Sequence, residues 1–174
     1  MRPDLFTDSD SWLRASWRAR PGSFVALMSL YESNRVRLRA LLGDVRRLDG
    51  RYLSRVQGEA DLELVVMEQG AYTTVLSLNN LFAAAEFPDS PSGVAPPADG
   101  WWREPGLEIR AYHDADLAEA SRLGTTRHHP ALGRLERRLP ATLDARWRRN
   151  ILLNKWLEYL ADIGHGPGTF HGPR

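Results

Sequence analysis

The chain has 174 residues, the size of one domain, and its 43% hydrophobic and 26% charged residues are typical of a globular protein with a soluble surface. It has no cysteine, which excludes disulfides, thiolate metal ligands and a cysteine nucleophile. A net charge of +1 gives no global reason to bind nucleic acid, and no apolar run approaches the roughly 18 residues that span a bilayer. We therefore expect a cytoplasmic protein, with no membrane partner and with nucleic acid an unlikely one.

The first half of the domain begins with a helix. Residues 1–22 are interpreted as an N-terminal arm, and residues 23–164 as a single domain. Ser23 is a favourable N-cap. Apolar residues at spacings of three and four predict a helix from Phe24 to Leu42, which Gly43 ends.

Alternating apolar residues then predict about five antiparallel strands, of which the hairpin from Gly106 to Ser121 is the clearest. One sheet face forms the core and contains Leu62, Leu64, Val66, Leu76, Leu78, Leu107, Ile109 and Ala111. The opposite face is mixed and contains Glu63, Val65, Met67, Thr73, Val75, Ser77, Glu108, Arg110 and Tyr112. Such a face is either covered by a helix or used as a recognition surface.

The remaining segments complete an α+β fold. The stretch 87–100 holds four prolines and predicts a long irregular loop. A second helix is expected from Thr142 to about Ile163, and residues 165–174 are expected to form a disordered tail. The predicted fold is therefore an antiparallel sheet of about five strands with an N-terminal and a C-terminal helix packed on it.

Three segments together resemble a known family. They are Tyr31-Glu32-x-Asn34 with the leucines that follow, the hairpin LELVVMEQGAYTTVLSL, and IRAYHDADLAEAS followed later by RNILLNKWLEYLADIGHG. In this order they resemble the YqiB-like proteobacterial proteins, a domain of unknown function (DUF1249), over roughly residues 27–166. The resemblance implies a small cytoplasmic protein, but it implies no activity, substrate or cofactor.

The chain departs from this family just before the last helix. Family members carry a Tyr-Pro-Asn and a His-Gln-x-Asp-Glu-Lys stretch there. In this chain Asp144 and Asn150 match, and Arg146 takes the place of the lysine, whereas the His-Gln pair and the glutamate are missing. The resemblance therefore implies that a function carried by that stretch is altered or lost here.

His113 and Asp114 form one candidate for chemistry. An imidazole beside a carboxylate could act as an acid/base pair, but an aspartate at this place is also typical of a turn, where it hydrogen-bonds the backbone ahead of it. Adjacent residues in an extended segment also point in different directions, which favours the turn. His128 and His129 are candidate metal ligands together with His113, but no second acidic partner lies at ligand spacing. We therefore predict neither a metal nor a cofactor.

A basic segment at the start of the last helix is the second candidate. The segment from Arg134 to Arg149 contains six arginines and two acidic residues, which gives a local charge of six minus two, or +4. Arg146 and Arg149 share the helix face of the core residues, where a phosphate could bind, although ordinary surface arginines would give the same pattern. Asn150, one residue further, is a candidate binding residue, although an amide at such a place usually satisfies a buried backbone group, and we expect that role.

The mixed sheet face supplies the third candidate, because Thr73, Arg110 and Tyr112 offer a hydroxyl, a charge and an aromatic ring. From these features we predict a non-catalytic binding or adaptor domain that recognises a protein partner or a small anionic ligand. The alternative is an enzyme acting on a phosphorylated small molecule or nucleotide, with Arg110, Arg146 and Arg149 as anion clamps and His113 as acid/base. RNA binding is a weaker third hypothesis.

Overall fold

The computed structural model describes residues 22–86, 95–122 and 145–172. Within these ranges lie two α-helices and one antiparallel sheet of six strands in the order β5-β4-β3-β2-β1-β6. The elements are α1 (Phe24–Leu42), β1 (Arg51–Ser54), β2 (Leu62–Gln69), β3 (Thr73–Ala83), β4 (Trp101–Tyr112), β5 (Leu117–Arg122), α2 (Ala145–Asp162) and β6 (Phe170–His171). The α+β prediction is confirmed, with one strand more than the five expected.

Local capping fixes helix α1 at both ends. The Ser23 hydroxyl accepts a hydrogen bond from the Ala26 N–H at 3.2 Å, so one of the unpaired donors of the first turn is satisfied. Gly43 follows the last turn with a φ of 75°, a conformation that strains any side chain. Its N–H donates to the Arg39 carbonyl at 2.8 Å. The helix therefore begins and ends where the sequence predicted.

Both helices pack on the same face of the sheet. This inner face packs against the apolar face of each helix and is formed by fully buried residues, Leu62, Leu64, Leu76, Leu78, Leu107, Ile109, Ala111, Ala118 and Ala120. Every second strand residue belongs to the outer face, which includes Glu63, Val75, Ser77, Arg110, Tyr112 and Glu119. Neither helix in the described ranges has an apolar stretch long enough to cross a membrane.

Strand β4 starts at Trp101, five residues before the predicted start at Gly106. Pro105, which cannot donate to a ladder, made this segment look irregular. The pairing with β3 shifts between Leu78 and Asn80, and the buried side chain of Asn79 fills the gap. Its Oδ1 accepts from the N–H of Gly106 at 2.7 Å and of Leu107 at 3.2 Å. A side-chain oxygen therefore replaces the backbone acceptor that the strand pairing does not provide at the bulge.

The C-terminal tail corrects a prediction. Residues 165–174 were expected to be disordered, but Phe170 and His171 pair with β1 as the sixth strand. The hydroxyl of Thr169 donates to the Gly166 carbonyl at 2.8 Å and accepts from Ser54 at 2.6 Å. Because the one Ser54 proton goes to Thr169, the buried His165 donates from Nδ1 to Ser54 at 2.7 Å. These buried hydrogen bonds hold residues 165–172 against the sheet.

Three buried asparagines connect the helices with the sheet edge. Asn150 Oδ1 accepts from the Ala120 N–H of β5 at 2.8 Å and from Asn34 Nδ2 at 3.2 Å. Asn34 Oδ1 in turn accepts from Asn154 Nδ2 at 3.0 Å. The expectation that Asn150 satisfies a buried backbone group is confirmed, because this N–H faces away from the sheet and has no strand beside it within the described residues.

Several predictions concern residues outside the described ranges. These are the N-terminal arm over 1–21, the loop residues 87–94, and the segment 123–144 with His128, His129 and Asp144. The described end of the loop, residues 95–100, closes in a turn in which the Gly100 N–H donates to the Pro97 carbonyl at 2.9 Å.

Candidate functional site on the outer sheet face

The register of β3, β4 and β5 sets three of the predicted residues side by side. Arg110 lies opposite Glu119 of β5, and Tyr112 lies opposite Leu117 on one side and Thr73 on the other. The intervening residues of β4 and β5 are buried on the inner face. Thr73, Arg110 and Tyr112 therefore share the outer face, as the strand alternation predicted.

A carboxylate that the sequence did not single out lies at the centre of this surface. Glu119 Oε1 accepts from the Tyr112 hydroxyl at 2.8 Å, and Oε2 accepts from the Tyr31 hydroxyl at 2.8 Å. Tyr31 comes from α1, whose first half packs at the β5 edge against Leu117 and Trp147. We refer to Tyr31, Tyr112 and Glu119 as the tyrosine–carboxylate cluster.

Burial and hydrogen bonding hold both phenols in their neutral form. Burial raises the pKa of Tyr31 well above its usual range, and the hydrogen bond to Glu119 raises it further. The same two causes, in the same order, raise the pKa of Tyr112. Each hydroxyl therefore stays a donor to Glu119, so the carboxylate has a hydrogen bond on each oxygen.

Arg110 differs from the other arginines of the outer face in its partners. Arg51 and Arg103 each donate to the buried carboxylate of Glu63 at 2.7 Å. The guanidinium of Arg110 approaches the Tyr112 hydroxyl and lowers that group's pKa, against the larger effect of burial. Among the residues that the structure describes, Arg110 has no carboxylate in ion-pair contact, and the oxygens of Glu119, the residue opposite it in β5, accept from the two tyrosines.

The two arginines at the start of α2, Arg146 and Arg149, have different surroundings. The positive charge of Arg146 lowers the pKa of Tyr31, against the larger opposing effect of burial, so this exposed guanidinium lies beside the tyrosine–carboxylate cluster. Arg149 instead donates from Nε to the Ala120 carbonyl at 3.4 Å. Asn150 holds the N–H of the same residue, so the pair occupies the outward backbone groups of β5 at this point.

His113 and Asp114 do not join this surface. His113 follows the last residue of β4 on the inner side, where its Nε2 lies 2.9 Å from the buried Thr74 hydroxyl. Asp114 Oδ1 accepts from the Ala115 N–H at 2.9 Å, the backbone contact that the turn interpretation predicted. The arginine whose charge acts most strongly on His113 is Arg35 of α1, and not one of the three predicted clamps. The described residues contain no group of three potential metal ligands.

The sequence carried signals for the three residues that were missed. Arg35 lies four residues after Tyr31 and three before Leu38, so it is a charge on the apolar face of α1. Glu119 alternates with the small inner residues Ala118 and Ala120, which assigns it to the outer face next to Arg110. Tyr31 is the aromatic residue on the same face of α1, four residues after Leu27.

The chain belongs to a family without an assigned function. The family model described as "Protein of unknown function (DUF1249)" matches residues 37–166, which is most of the chain. No curated protein and no solved structure matches the chain. The tyrosine–carboxylate cluster lies partly outside this match, since Tyr31 precedes residue 37.

Proposed function

For this member of the DUF1249 family, we propose a non-catalytic binding function in which the outer sheet face recognises an acidic group of a protein partner. Arg110 is the centre of the proposed surface. Tyr112 lies two residues further along β4 on the same face, Thr73 lies opposite Tyr112 on β3, and Arg146 adds positive potential from the start of α2.

The observation that carries the proposal is the lack of a carboxylate partner for Arg110 within the described residues, on a face where the neighbouring charges are paired. A guanidinium presents donors in a planar fork that fits a carboxylate with two parallel hydrogen bonds. The tyrosine–carboxylate cluster gives each oxygen of Glu119 a hydrogen bond, which makes this side chain a weaker partner for Arg110. A carboxylate of the partner would supply the missing charge.

The composition of the surface favours a protein partner over a small ligand. Met67 of β2 is exposed, two strands away from Arg110 and Tyr112 of β4 in the same sheet. Tyrosine, methionine and arginine are the residues enriched where protein surfaces meet. A sheet face is also open rather than concave, whereas small-molecule sites are usually clefts.

The test uses a short extended peptide of alternating glutamate and leucine, with the Nε–Hε resonances of the arginines followed by NMR. We expect the Arg110 resonance to shift saturably with this peptide and to stay unchanged with a peptide in which glutamine replaces glutamate. Arg110→Gln abolishes the binding. Arg55→Gln serves as the matched control, because Arg55 is an exposed strand-end arginine that already pairs with Asp61 at 2.9 Å.

Other outcomes of this experiment contradict the proposal. Equal binding by wild type and Arg110→Gln would place the recognition elsewhere. Binding of free glutarate as strong as that of the peptide would replace the protein partner by a small anion. Enzymatic turnover that disappears in His113→Ala would contradict the non-catalytic part of the proposal.

A further inference from the structure

A chain of hydrogen bonds between side chains ties the C-terminal end of the protein to strand β1. Residues 165–172, which we call the C-terminal strap, follow helix α2 and include strand β6, which pairs with β1. The hydrogen-bond chain starts at the buried His165, whose Nδ1 lies 2.7 Å from Ser54 Oγ. Ser54 is fully buried on β1, and its hydroxyl donates to Thr169 Oγ1 at 2.6 Å.

The direction of these hydrogen bonds is fixed at the Thr169 end of the chain. Thr169 Oγ1 lies 2.8 Å from the Gly166 carbonyl oxygen, which carries no proton, so the Thr169 hydroxyl is the donor there. Ser54 therefore gives its one proton to Thr169, and its oxygen accepts from His165. The proton of the neutral imidazole is consequently on Nδ1, and Nε2 is the ring nitrogen with the lone pair.

The second ring nitrogen of His165 decides how the strap responds to acid. Nε2 is buried and has no hydrogen-bond partner among the described residues. Protonation turns this nitrogen into a charged donor, and a buried donor without an acceptor is strongly disfavoured. Burial accordingly lowers the pKa of His165, against the smaller opposing effects of Glu59 and Asp61. The closed strap therefore favours the neutral ring.

The charged groups near His165 do not supply the missing acceptor. Glu59 and Asp61 belong to the segment between β1 and β2. Asp61 is paired with Arg55 at 2.9 Å, and Glu59 accepts from the Tyr159 hydroxyl of α2 at 3.4 Å. Neither carboxylate hydrogen-bonds Nε2 of His165, so an imidazolium in the closed strap has one N–H without a partner.

The remaining contacts of the strap are few. Phe170 packs against the apolar core and is partly buried, whereas Pro167, Gly168 and His171 are exposed. Strand β6 pairs with β1 through two residues. Segments with few buried apolar contacts open locally at a lower free energy than the whole fold. The hydrogen bonds from His165 to Thr169 are therefore a large part of what keeps the strap closed.

We propose that the C-terminal strap is a pH-dependent device, in which protonation of His165 breaks the hydrogen-bond chain through Ser54 and Thr169 and releases β6 from β1. In the open state both N–H groups of the imidazolium donate to water. Leu53 and Ser54, which pair with β6 in the closed state, then lie on an uncovered edge of the sheet. The protonation of one histidine thus controls whether the β1 edge is covered.

Amide hydrogen exchange measures the opening, because the N–H groups of Gly166 and Thr169 each donate at 3.0 Å within the strap. His165 has a lower pKa in the closed strap than the ordinary value of about 6.5 in the open one, so acid favours opening. From pH 7.5 to 5.5, the opening constant corrected for intrinsic exchange should rise about fivefold to tenfold, tenfold being the limit set by the open-state pKa. A rise below about twofold would overturn the proposal.

A reference amide separates local opening from global unfolding. The Val66 N–H donates to the Gly50 carbonyl at 2.8 Å, where β2 continues past the start of β1. At both pH values the strap amides should have an opening constant at least about tenfold larger than Val66. Equal opening constants would mean that the strap opens only when the whole fold does, and this would overturn the proposal.

Two histidine variants identify the titrating group. His165→Asn keeps an N–H donor near the position of Nδ1 but does not titrate, so the pH response of the strap amides should fall below about twofold. His171→Asn is the matched control, because this exposed histidine belongs to the same strap, and it should respond to pH as the wild type does. A full response in His165→Asn, or its loss in His171→Asn, would overturn the proposal.

A third variant tests the hydrogen-bond chain even if His165→Asn fails to fold. Thr169→Val removes the acceptor of the buried Ser54 hydroxyl at a half-buried position. Because this leaves a buried donor unpaired, the opening constant at pH 7.5 should rise about tenfold, measured at the amide of residue 169. An unchanged opening constant would show that the chain does not hold the strap, and the proposal would be wrong.

Discussion

Asn150→Ala should destabilise the fold more than any other single-amide change at the helix–sheet junction. Asn150 is fully buried and accepts from two donors, the Ala120 N–H at 2.8 Å and Asn34 Nδ2 at 3.2 Å. Its own Nδ2 donates to the Arg146 carbonyl at 3.0 Å. The alanine side chain offers no acceptor, so both donors lose their partner inside the protein.

The size of the effect follows from these contacts. A buried donor left unpaired costs about 1–3 kcal/mol, so two of them give about 2–6 kcal/mol. Alanine recovers at most about 0.7 kcal/mol of helix propensity relative to asparagine. Taking the lower half of the range, because the site can relax, and subtracting the helix propensity, we expect a net loss of about 2 kcal/mol in the free energy of unfolding.

Urea unfolding measures this loss, with the fluorescence of Trp147 and Trp156 as the signal, since both are buried on α2. Lys155→Ala is the matched control on the same helix, because its ion pair with Glu158 at 2.7 Å is partly exposed and contributes about 0.5 kcal/mol. Hydrogen exchange adds a local measurement, in which the Ala120 amide loses protection beyond the global change.

The reasoning would be refuted by a loss below about 1 kcal/mol, the smallest expected for one unpaired buried group. It would equally be refuted by unchanged local protection of the Ala120 amide. A double variant with Asn34→Ala should cost less than the sum of the two single variants, because it also removes one of the unpaired donors.

Two further predictions concern pH. Because burial and Glu119 raise the pKa of Tyr31 and Tyr112 above the ordinary 10.0, the unfolding free energy should fall as the pH rises above 10, where the unfolded tyrosines ionise first. Urea unfolding and phenolate absorbance measure this, and Tyr31→Phe should reduce the slope; an equal slope in the variant would count against the cluster. Burial lowers the pKa of His165 below 6.5, so the unfolded state takes up a proton first when the pH drops. The free energy of unfolding should therefore be unaffected by His165 above pH 6.5 and should fall as the pH drops below 6.5. His165→Gln should reduce this loss of stability, although part of it remains because the pKa of His113 is lowered as well. If the stability of the variant fell with pH as steeply as that of the wild type, His165 would not be a source of the loss.

Local signals explain why helix α1 and the inner face were predictable from the sequence. The N-cap at Ser23, the glycine at 43 and the apolar periodicity act within a few residues of each other. Alternation in the strands also assigned Thr73, Arg110 and Tyr112 to one face without knowledge of the strand order. These features depend on the repeat of the helix or strand and on the residues nearest in sequence, and not on distant parts of the chain.

Long-range pairing explains what was missed. The Pro105 segment becomes a strand because Asn79 accepts from the N–H groups that follow it. The tail becomes ordered because Ser54, more than a hundred residues earlier, bonds to His165. Composition in both places is typical of loops, and only the tertiary partners overrule it.

The candidate site shows the same division. Tyr31 and Glu119 are 88 residues apart and meet only because α1 packs at the β5 edge. Both lie in segments that carry the family resemblance, yet nothing in either segment alone indicates a hydrogen bond between them. The ion pair between Arg35 and Asp116, 81 residues apart, likewise requires the docked helix.

One step along β4 separates His113 from the proposed surface. Tyr112 and His113 are neighbours in the chain, but the first belongs to the outer face and the second to the inner side, so Arg110 and His113 do not act on one ligand. His113→Ala should therefore leave binding of the acidic peptide to the outer face within error, whereas Arg110→Gln removes it. Weaker peptide binding by His113→Ala would mean that the end of β4 moves when the outer face is occupied.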